Sequence, residues 1–402
     1  MRRVAITGLG VVSALGNNVP EFWDKLSRGV SGISPIRLVD CSRMRFQNGA
    51  EVKDFDPAAH FDSSKLSLLD RFAQFALVSA REAIRDSAIE FDSETKKRTA
   101  IVTGSSIGGQ TTQDEQFVEL YRQSRDRVHP FTIARTMANG GASHISMEFG
   151  ITGPVFTIST ACSSSNHAIG NAFWMLRNGQ ADVAITGGSE TPFSYGFLKA
   201  WESLRVVSPD TCRPFSKNRS GMILGEGSAT LVLEDFERAK ARGAKIYGEI
   251  LGFGMSSDAG NIMAPSADGA ADAMLRAIED ANISADAIGY INAHGTATHA
   301  NDPTETGAIR KVLLSGAEKV PVSSTKSMHG HALGAAGAIE AVATVLALKH
   351  AIVPPTANYQ EPDPECNLDY VPHTARKLSV EYAISNSFAF GGLNAVLVFR
   401  AA

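Results

Sequence analysis

Three side chains far apart in the chain have types suited to acyl-transfer chemistry: Cys162, His294 and His331. The thiolate is the nucleophilic form of cysteine, and imidazoles can move protons or donate hydrogen bonds to a developing oxyanion. Cys162 follows an extended, β-branched run from Val155 to Thr160 and precedes Ser163, Ser164 and Ser165, residues that cap helices well. Apolar residues then recur at Ala168, Ile169, Ala172, Phe173 and Leu176, and Arg177 and Gly179 mark a helix end. Cys162 is thus expected at a helix start, where free backbone amides and the dipole lower a thiol's pKa and can hold an oxyanion. His294 follows a strand-like segment from Tyr290 and precedes Gly295 and Thr296, a strand-end position typical of catalytic side chains. His331 closes the segment Lys-Ser-Met-His-Gly-His (326–331), just before a helix of small residues that is expected to be buried. Cys41, Cys212 and Cys366 read as small buried hydrophobes.

Strand-like runs that alternate with Ala-rich helical patterns must position these groups. Val4–Thr7, Ala100–Thr103, Val155–Thr160, Val183–Thr186 and Val396–Phe399 are the strand candidates, and the alternation predicts stacked α/β layers. A charged helix and glycine turn over 234–248 divides the chain, giving an expected N-terminal half, 1–245, and a C-terminal half, 246–402. A strand runs into a reactive residue and then a helix in each half, at Cys162 and again at Lys326 and His331, which suggests a duplicated unit.

The bulk numbers bound the class. With 402 residues, 44% hydrophobic and 20% charged content and a net charge of −4, the chain suits a large globular core and excludes a disordered chain or a broad nucleic-acid footprint. Four widely spaced cysteines without a Cys-x-x-Cys pair give no disulfide framework, so a reducing, cytoplasmic setting is expected. Glycines break the apolar N-terminus, and the stretch from Ala341 to Pro354 is interrupted by Lys349 and His350, so no membrane insertion is expected. Zinc binding is disfavoured because His329/His331 and His294/His299 lack acidic partners at ligand spacing. Dinucleotide binding fails at Ser13, where the Gly8-Leu-Gly10 pattern needs a third glycine.

Thr-Ala-Cys-Ser-Ser (160–164), His-Gly-Thr-Ala-Thr (294–298) and Lys-Ser-Met-His-Gly-His (326–331) together resemble the beta-ketoacyl-acyl carrier protein synthases of fatty acid and polyketide synthesis. The likeness runs from Val-Ala-Ile-Thr-Gly-Leu-Gly (4–10) to Asn-Ser-Phe-Ala-Phe-Gly-Gly-Leu-Asn (386–394). Ile107 and the Ser-Ser-Asp at 256–258 look like the synthase II type, and the segment 201–214 with His329 looks like the rhizobial nodulation protein E group, which is thought to build unusual acyl chains. The resemblance implies a thiolase fold with duplicated halves in α-β-α-β-α layers, a homodimer, and acyl carrier proteins as partners. It also implies no cofactor of the enzyme's own, since the phosphopantetheine arm sits on the carrier.

The resemblance implies roles as well. Cys162 is the acyl-bearing nucleophile, and His294 and His331 stabilise the enolate formed as malonyl-carrier protein loses carbon dioxide. Lys326 supplies positive charge and is paired with Glu305. The backbone N–H groups of Cys162 and Phe390 form the oxyanion hole, and Phe390 gates the acyl pocket. Ile107, Phe193, Thr296, Thr298, Phe388 and Gly391 contact substrate. Asn292, Glu340, Ser385 and Asn386 match a monovalent-cation site. Ala389 and Leu393 depart from the family's glycine and threonine, which predicts a stiffer gating loop, and Met137, Phe193, Tyr195 and Trp201 put bulk near the pocket. The alternative is a non-catalytic chain-length partner of a condensing heterodimer, which should lack the nucleophile.

Overall fold

One strand order occurs twice along the chain in the computed structural model, which describes residues 1–402. The first half contributes β1 (Val4–Ser13), β2 (Thr99–Gly104), β3 (Val155–Ile158), β4 (Val183–Glu190) and β5 (Gly227–Asp235). The second contributes β6 (Gly248–Ser257), β7 (Ile288–Asn292), β8 (Val322–Ser323), β9 (Tyr382–Ala389) and β10 (Leu393–Ala401). Hydrogen bonding orders them β3-β2-β4-β5-β1 and β8-β7-β9-β10-β6. The first three strands of each set are parallel and the last two antiparallel. β1 and β6 pair antiparallel over Val4–Ile6 and Gly248–Ile250, joining the two sets into one sheet.

Helices complete five layers. Ser164–Arg177 follows β3 and Ala336–His350 follows β8, and the two lie against each other between the sheet halves within one shared apolar core. Arg71–Ser87 covers the outer face of the first half, and Ala267–Asp280 and Asn301–Leu313 that of the second. These are the duplicated halves in α-β-α-β-α layers that the sequence led us to expect. The small-residue helix is buried from Ala336 to Leu348. Leu333–His350 meets the length and apolarity of a membrane span, beyond what the Ala341–Pro354 window suggested, but 89% of it is inside the fold. Its hydrophobicity serves a helix covered by sheet on both sides.

The glycines once weighed as a dinucleotide signal serve packing. A Cβ on Gly8 or Gly10 in β1 would lie 2.1 Å from the Ala83 carbonyl oxygen or 1.9 Å from that of Ser79. In β6, Gly252 and Gly254 stand 2.3 and 2.2 Å from the carbonyl oxygens of Ala277 and Ala273 by the same measure. Each half therefore seats the backbone of its outer helix directly on its first strand, which only glycine allows.

Candidate active site

Both crossovers from third strand to central helix end at one cleft. It encloses about 650 Å³, partly open to solvent, and Cys162, His294, His331, Phe388, Phe390, Thr296 and Thr298 line it. Cys162 lies just before the helix that begins at Ser164, on a turn in which Ala161 holds φ of +51°. A non-glycine residue rarely adopts that conformation, and such strain clusters at functional turns. The backbone N–H groups of Phe390 and of Cys162 itself reach the sulfur.

Burial acts on the thiol against its helix-start position. Burial pushes Cys162 up to about 11, against the opposing pull of Lys326 and the Phe390 N–H, so desolvation outweighs the helix start. Cys212 and Cys366 are each pushed to about 12 by burial and Cys41 to about 11, so what sets Cys162 apart from the core thiols is its place in the cleft.

His294 and His331 meet edge to face with ring centroids 5.3 Å apart. Burial first, then the charge of Lys326, drives both well below their ordinary value, so both are neutral near pH 7. Lys326 Nζ donates to His294 Nδ1 at 3.3 Å, which leaves the proton on Nε2 as a hydrogen-bond donor. Glu305 fixes the His294 loop, accepting from the His294 N–H at 2.8 Å and the Gly295 N–H at 2.7 Å. Asp302 adds acceptance from Ala297 N–H and Phe215 N–H. His331 is held through its backbone: its N–H donates to the Ile223 carbonyl at 2.7 Å, and its carbonyl accepts from Gly225 N–H at 2.9 Å. His329 is structural, with one ring nitrogen against the Gly330 carbonyl and the other against Thr325 Oγ1.

The partner expected for Lys326 needs correction. Its ammonium, fully buried, forms its ion pair with Glu340 on the central helix, while Glu305 is occupied by backbone N–H groups and the Asn386 amide. Glu305 sits on Asn301–Leu313, where it faces the His294 loop, whereas the first turns of the central helix bring Glu340 under Lys326. Burial raises the Glu340 carboxyl and Lys326 pulls it back. The expected substrate contacts also divide. Thr296, Thr298 and Phe388 line the cleft, but Ile107, Phe193 and Gly391 do not. Ile107 and Phe193 instead belong to the apolar cluster packed around Cys162, and Phe193 also borders a separate groove with Tyr195 and Arg135. Trp201, Met222 and the 262–265 segment line the cleft, which motif spacing had not indicated apart from the bulk of Trp201.

Beside Glu340 lies a set of oxygens without partners. Asn292 Oδ1, Glu340 Oε2, Ser385 Oγ and Asn386 Oδ1 are buried and make no hydrogen bond. Ser385 and Asn292 are paired across β9 and β7, and the amide nitrogens of Asn292 and Asn386 are engaged elsewhere. Asn292 Oδ1, Glu340 Oε2 and Ser385 Oγ, on the side of the central helix, are leftover hard oxygen donors that suit a cation, whereas Asn386, next in the strand, faces Glu305 and Met274 on the other side and departs from the expected set.

Known proteins resemble this chain in sequence and fold. The family models described as beta-ketoacyl synthase, N-terminal domain and C-terminal domain match residues 1–239 and 247–360. Nodulation protein E of Rhizobium sp. (strain N33) is 43% identical over 399 residues, 99% of each chain. The 3-oxoacyl-[acyl-carrier-protein] synthase 2 of Coxiella burnetii is 43% identical over 405 residues, 99% of this chain and 98% of that one. Among solved structures, the ishigamide ketosynthase/chain length factor superposes with a TM-score of 0.95 at 36% identity, covering 100% of this chain and 99% of that one. A beta-ketoacyl synthase from Burkholderia phymatum STM815 gives 0.93 at 35% identity over 100% of both chains. The chain belongs to the beta-ketoacyl synthase family. Within it, this is a condensing enzyme of the acyltransferase class, similar to the synthase 2 type.

Proposed function

We propose that Cys162 accepts an acyl group from an acyl carrier protein and that His294 and His331 then drive its decarboxylative extension. The observation that carries this reading is one cleft wall shared by the buried thiol, two neutral imidazoles and the Phe390 loop. In the first step the sulfur attacks the acyl-carrier thioester carbonyl, the carrier's thiol leaves, and the cysteine proton passes to it. A neutral imidazole can relay that proton, as a thiol held at about 11 requires. The two backbone N–H groups that reach the sulfur form the oxyanion hole.

In the second step the malonyl thioester loses carbon dioxide, and its carbonyl oxygen gains the charge of the enolate. His294 Nε2–H and His331 donate to that oxygen, and the enolate carbon attacks the acyl-cysteine. The cysteine sulfur leaves as a thiolate, a proton from solvent restores the thiol, and a 3-oxoacyl-carrier protein is released. Lys326 holds the His294 tautomer and Glu340 holds Lys326, while Glu305 holds the His294 backbone. Thr296 and Thr298 line the path of the carrier's phosphopantetheine arm, and no cofactor of the chain's own is invoked. Asn292, Glu340 and Ser385 would hold a monovalent cation, with Asn386 set apart on the other face of β9.

The acyl chain lies against the cluster of Ile107, Phe193, Leu333 and Trp201 beside Cys162, with Phe390 and Gly391 as the gate. That cluster is packed, so a long chain enters only as half-buried Ile107 gives way. The likeness to nodulation protein E favours a dedicated acyl chain over a housekeeping one. The halves 1–245 and 246–402 act as one catalytic unit in a cytoplasmic homodimer. An open β3 edge and exposed Phe117, Tyr121, Ile133 and Phe156 nearby support that second copy. A non-catalytic chain-length partner is disfavoured by Cys162 in its cleft.

Intact-mass detection of products from acyl- and malonyl-carrier proteins tests the reading. Cys162→Ala should abolish condensation, and Cys162→Gln should do so while still releasing carbon dioxide, because a neutral amide imitates the acylated sulfur. Condensation surviving in either variant overturns the assignment.

A further inference from the structure

A buried carboxyl group outside the proposed chemistry is Glu190, at the end of β4. It is fully buried, burial raises its carboxyl above the ordinary value while the hydrogen bonds from Ser105, Ser106 and Ile107 pull it back, and every donor to it is neutral. Its Oε1 accepts from Ser105 Oγ at 3.0 Å and the Ile107 N–H at 3.3 Å. Its Oε2 accepts from the Ser106 N–H at 2.6 Å, Ser106 Oγ at 2.5 Å and the Gly334 N–H at 3.1 Å. Both oxygens thus take backbone N–H donors, an arrangement suited to a carboxylate.

Burying a charge without a countercharge is expensive, and neutral groups could staple two loops at lower cost. The two loops are not arbitrary. Ser105–Ile107 places Ile107, and Leu333–Gly334, with Leu333 at φ +45°, places Leu333; both side chains belong to the apolar cluster that packs on Cys162. Room has been made for this contact, since a Cβ on Gly334 would lie 2.5 Å from Glu190 Oε2 and 2.5 Å from the Ser106 nitrogen. One segment comes from each half of the duplicated fold.

We propose that Glu190 is the positioning residue of the acyl pocket, clamping the segments that set Ile107 and Leu333 against Cys162 and so fixing which acyl chains the sulfur accepts. The assignment rests on the roles proposed above for Cys162 and Ile107. The charges that reach the sulfur are Lys326, which favours its ionisation, and Glu190, which opposes it; the neutral imidazoles of His294 and His331 face it from the same cleft. Removing the Glu190 charge therefore moves ionisation of Cys162 to lower pH, which a purely mechanical staple would not do.

The test uses the full-length protein with Glu190→Gln and Ser106→Ala, the second of which keeps the charge and removes one donor. Two quantities are read: the ratio of long- to short-chain acyl loading on Cys162 by intact mass, and the pH profile of its alkylation by iodoacetamide. Glu190→Gln should change the loading ratio about tenfold and shift the alkylation midpoint down by roughly half a pH unit. Ser106→Ala should move the ratio in the same direction and leave the midpoint in place. An unchanged ratio in folded Glu190→Gln, or an equal midpoint shift in both variants, overturns the proposal. Should Glu190→Gln not fold, an unchanged ratio in Ser106→Ala overturns it. A wild-type protein that loads no acyl group defeats the condensing reading instead, and the alkylation profiles then decide alone whether Glu190 acts on Cys162.

Discussion

The two halves of the molecule reach their central helices by different routes. After β3 only residues 159–163 intervene before Ser164, and Cys162 is among them. After β8 residues 324–335 intervene, and they carry Lys326, His329 and His331. A short crossover places one nucleophile at a helix start. The longer one folds over it and is sealed to the first half where the His331 N–H meets the Ile223 carbonyl and Gly225 N–H meets that of His331. The outer edges differ too. The second half covers its own edge, with Val322 N–H donating to the Asp369 carbonyl and Ser324 N–H to Thr356 Oγ1. The first half leaves β3 open, with Phe156 exposed. Duplication supplied the frame, and unequal loops made one half donate the sulfur and the other its basic surroundings.

The sharpest way to break this comparison is at the buried charge that only the long crossover carries. Lys326→Ala leaves Glu340 without its cation and His294 without its donor. It should lower unfolding free energy by about 3–5 kcal/mol and abolish carbon dioxide release from malonyl-carrier protein, by urea denaturation and a decarboxylation assay. Cys162→Ala in the short crossover should change stability by less than about 1 kcal/mol. Similar stability losses in both would show that the two crossovers are not differently built.

Mechanical equivalence of the halves predicts a matched, intermediate effect. Gly10→Ala and Gly254→Ala each force a methyl group into the backbone of an outer helix and should each cost about 1–3 kcal/mol by the same denaturation measurement. A large cost in one half and none in the other would limit the equivalence to topology. The smallest effect on stability is expected at the open edge. Phe156→Lys should leave unfolding free energy within about 0.5 kcal/mol yet shift sedimentation from dimer to monomer. A wild-type chain that sediments as a monomer would remove β3 as an assembly edge.

The layered fold and the meeting of Cys162, His294 and His331 in one cleft were legible because each rests on local signals: β-branched runs, a helix start, strand-end histidines and three motifs in order. The pairing of Lys326 was not, because Glu305 and Glu340 both lie in buried helices and only the packing of the central helix decides which reaches the ammonium. The burial that opposes ionisation of the thiol was not legible for a related reason, since a helix start is visible in sequence while full burial around it is not. Glu190 gave no signal at all. A glutamate closing a strand reads as a solvated end, and its partners come from positions 105–107 and 334. Ile107 and Phe193 carry side chains of the right kind, but they pack around the sulfur rather than line the open cleft.

The helix Ala336–His350 has a consequence for how the protein is made. It fills the space between the sheet halves, yet it emerges from the ribosome only after the whole first half. Until then the first half carries a sheet face and the helix Ser164–Arg177 with their apolar partner missing. The nascent chain should therefore need a holding chaperone until the last segment is threaded into place, and completion of the core should coincide with assembly of the reactive cleft.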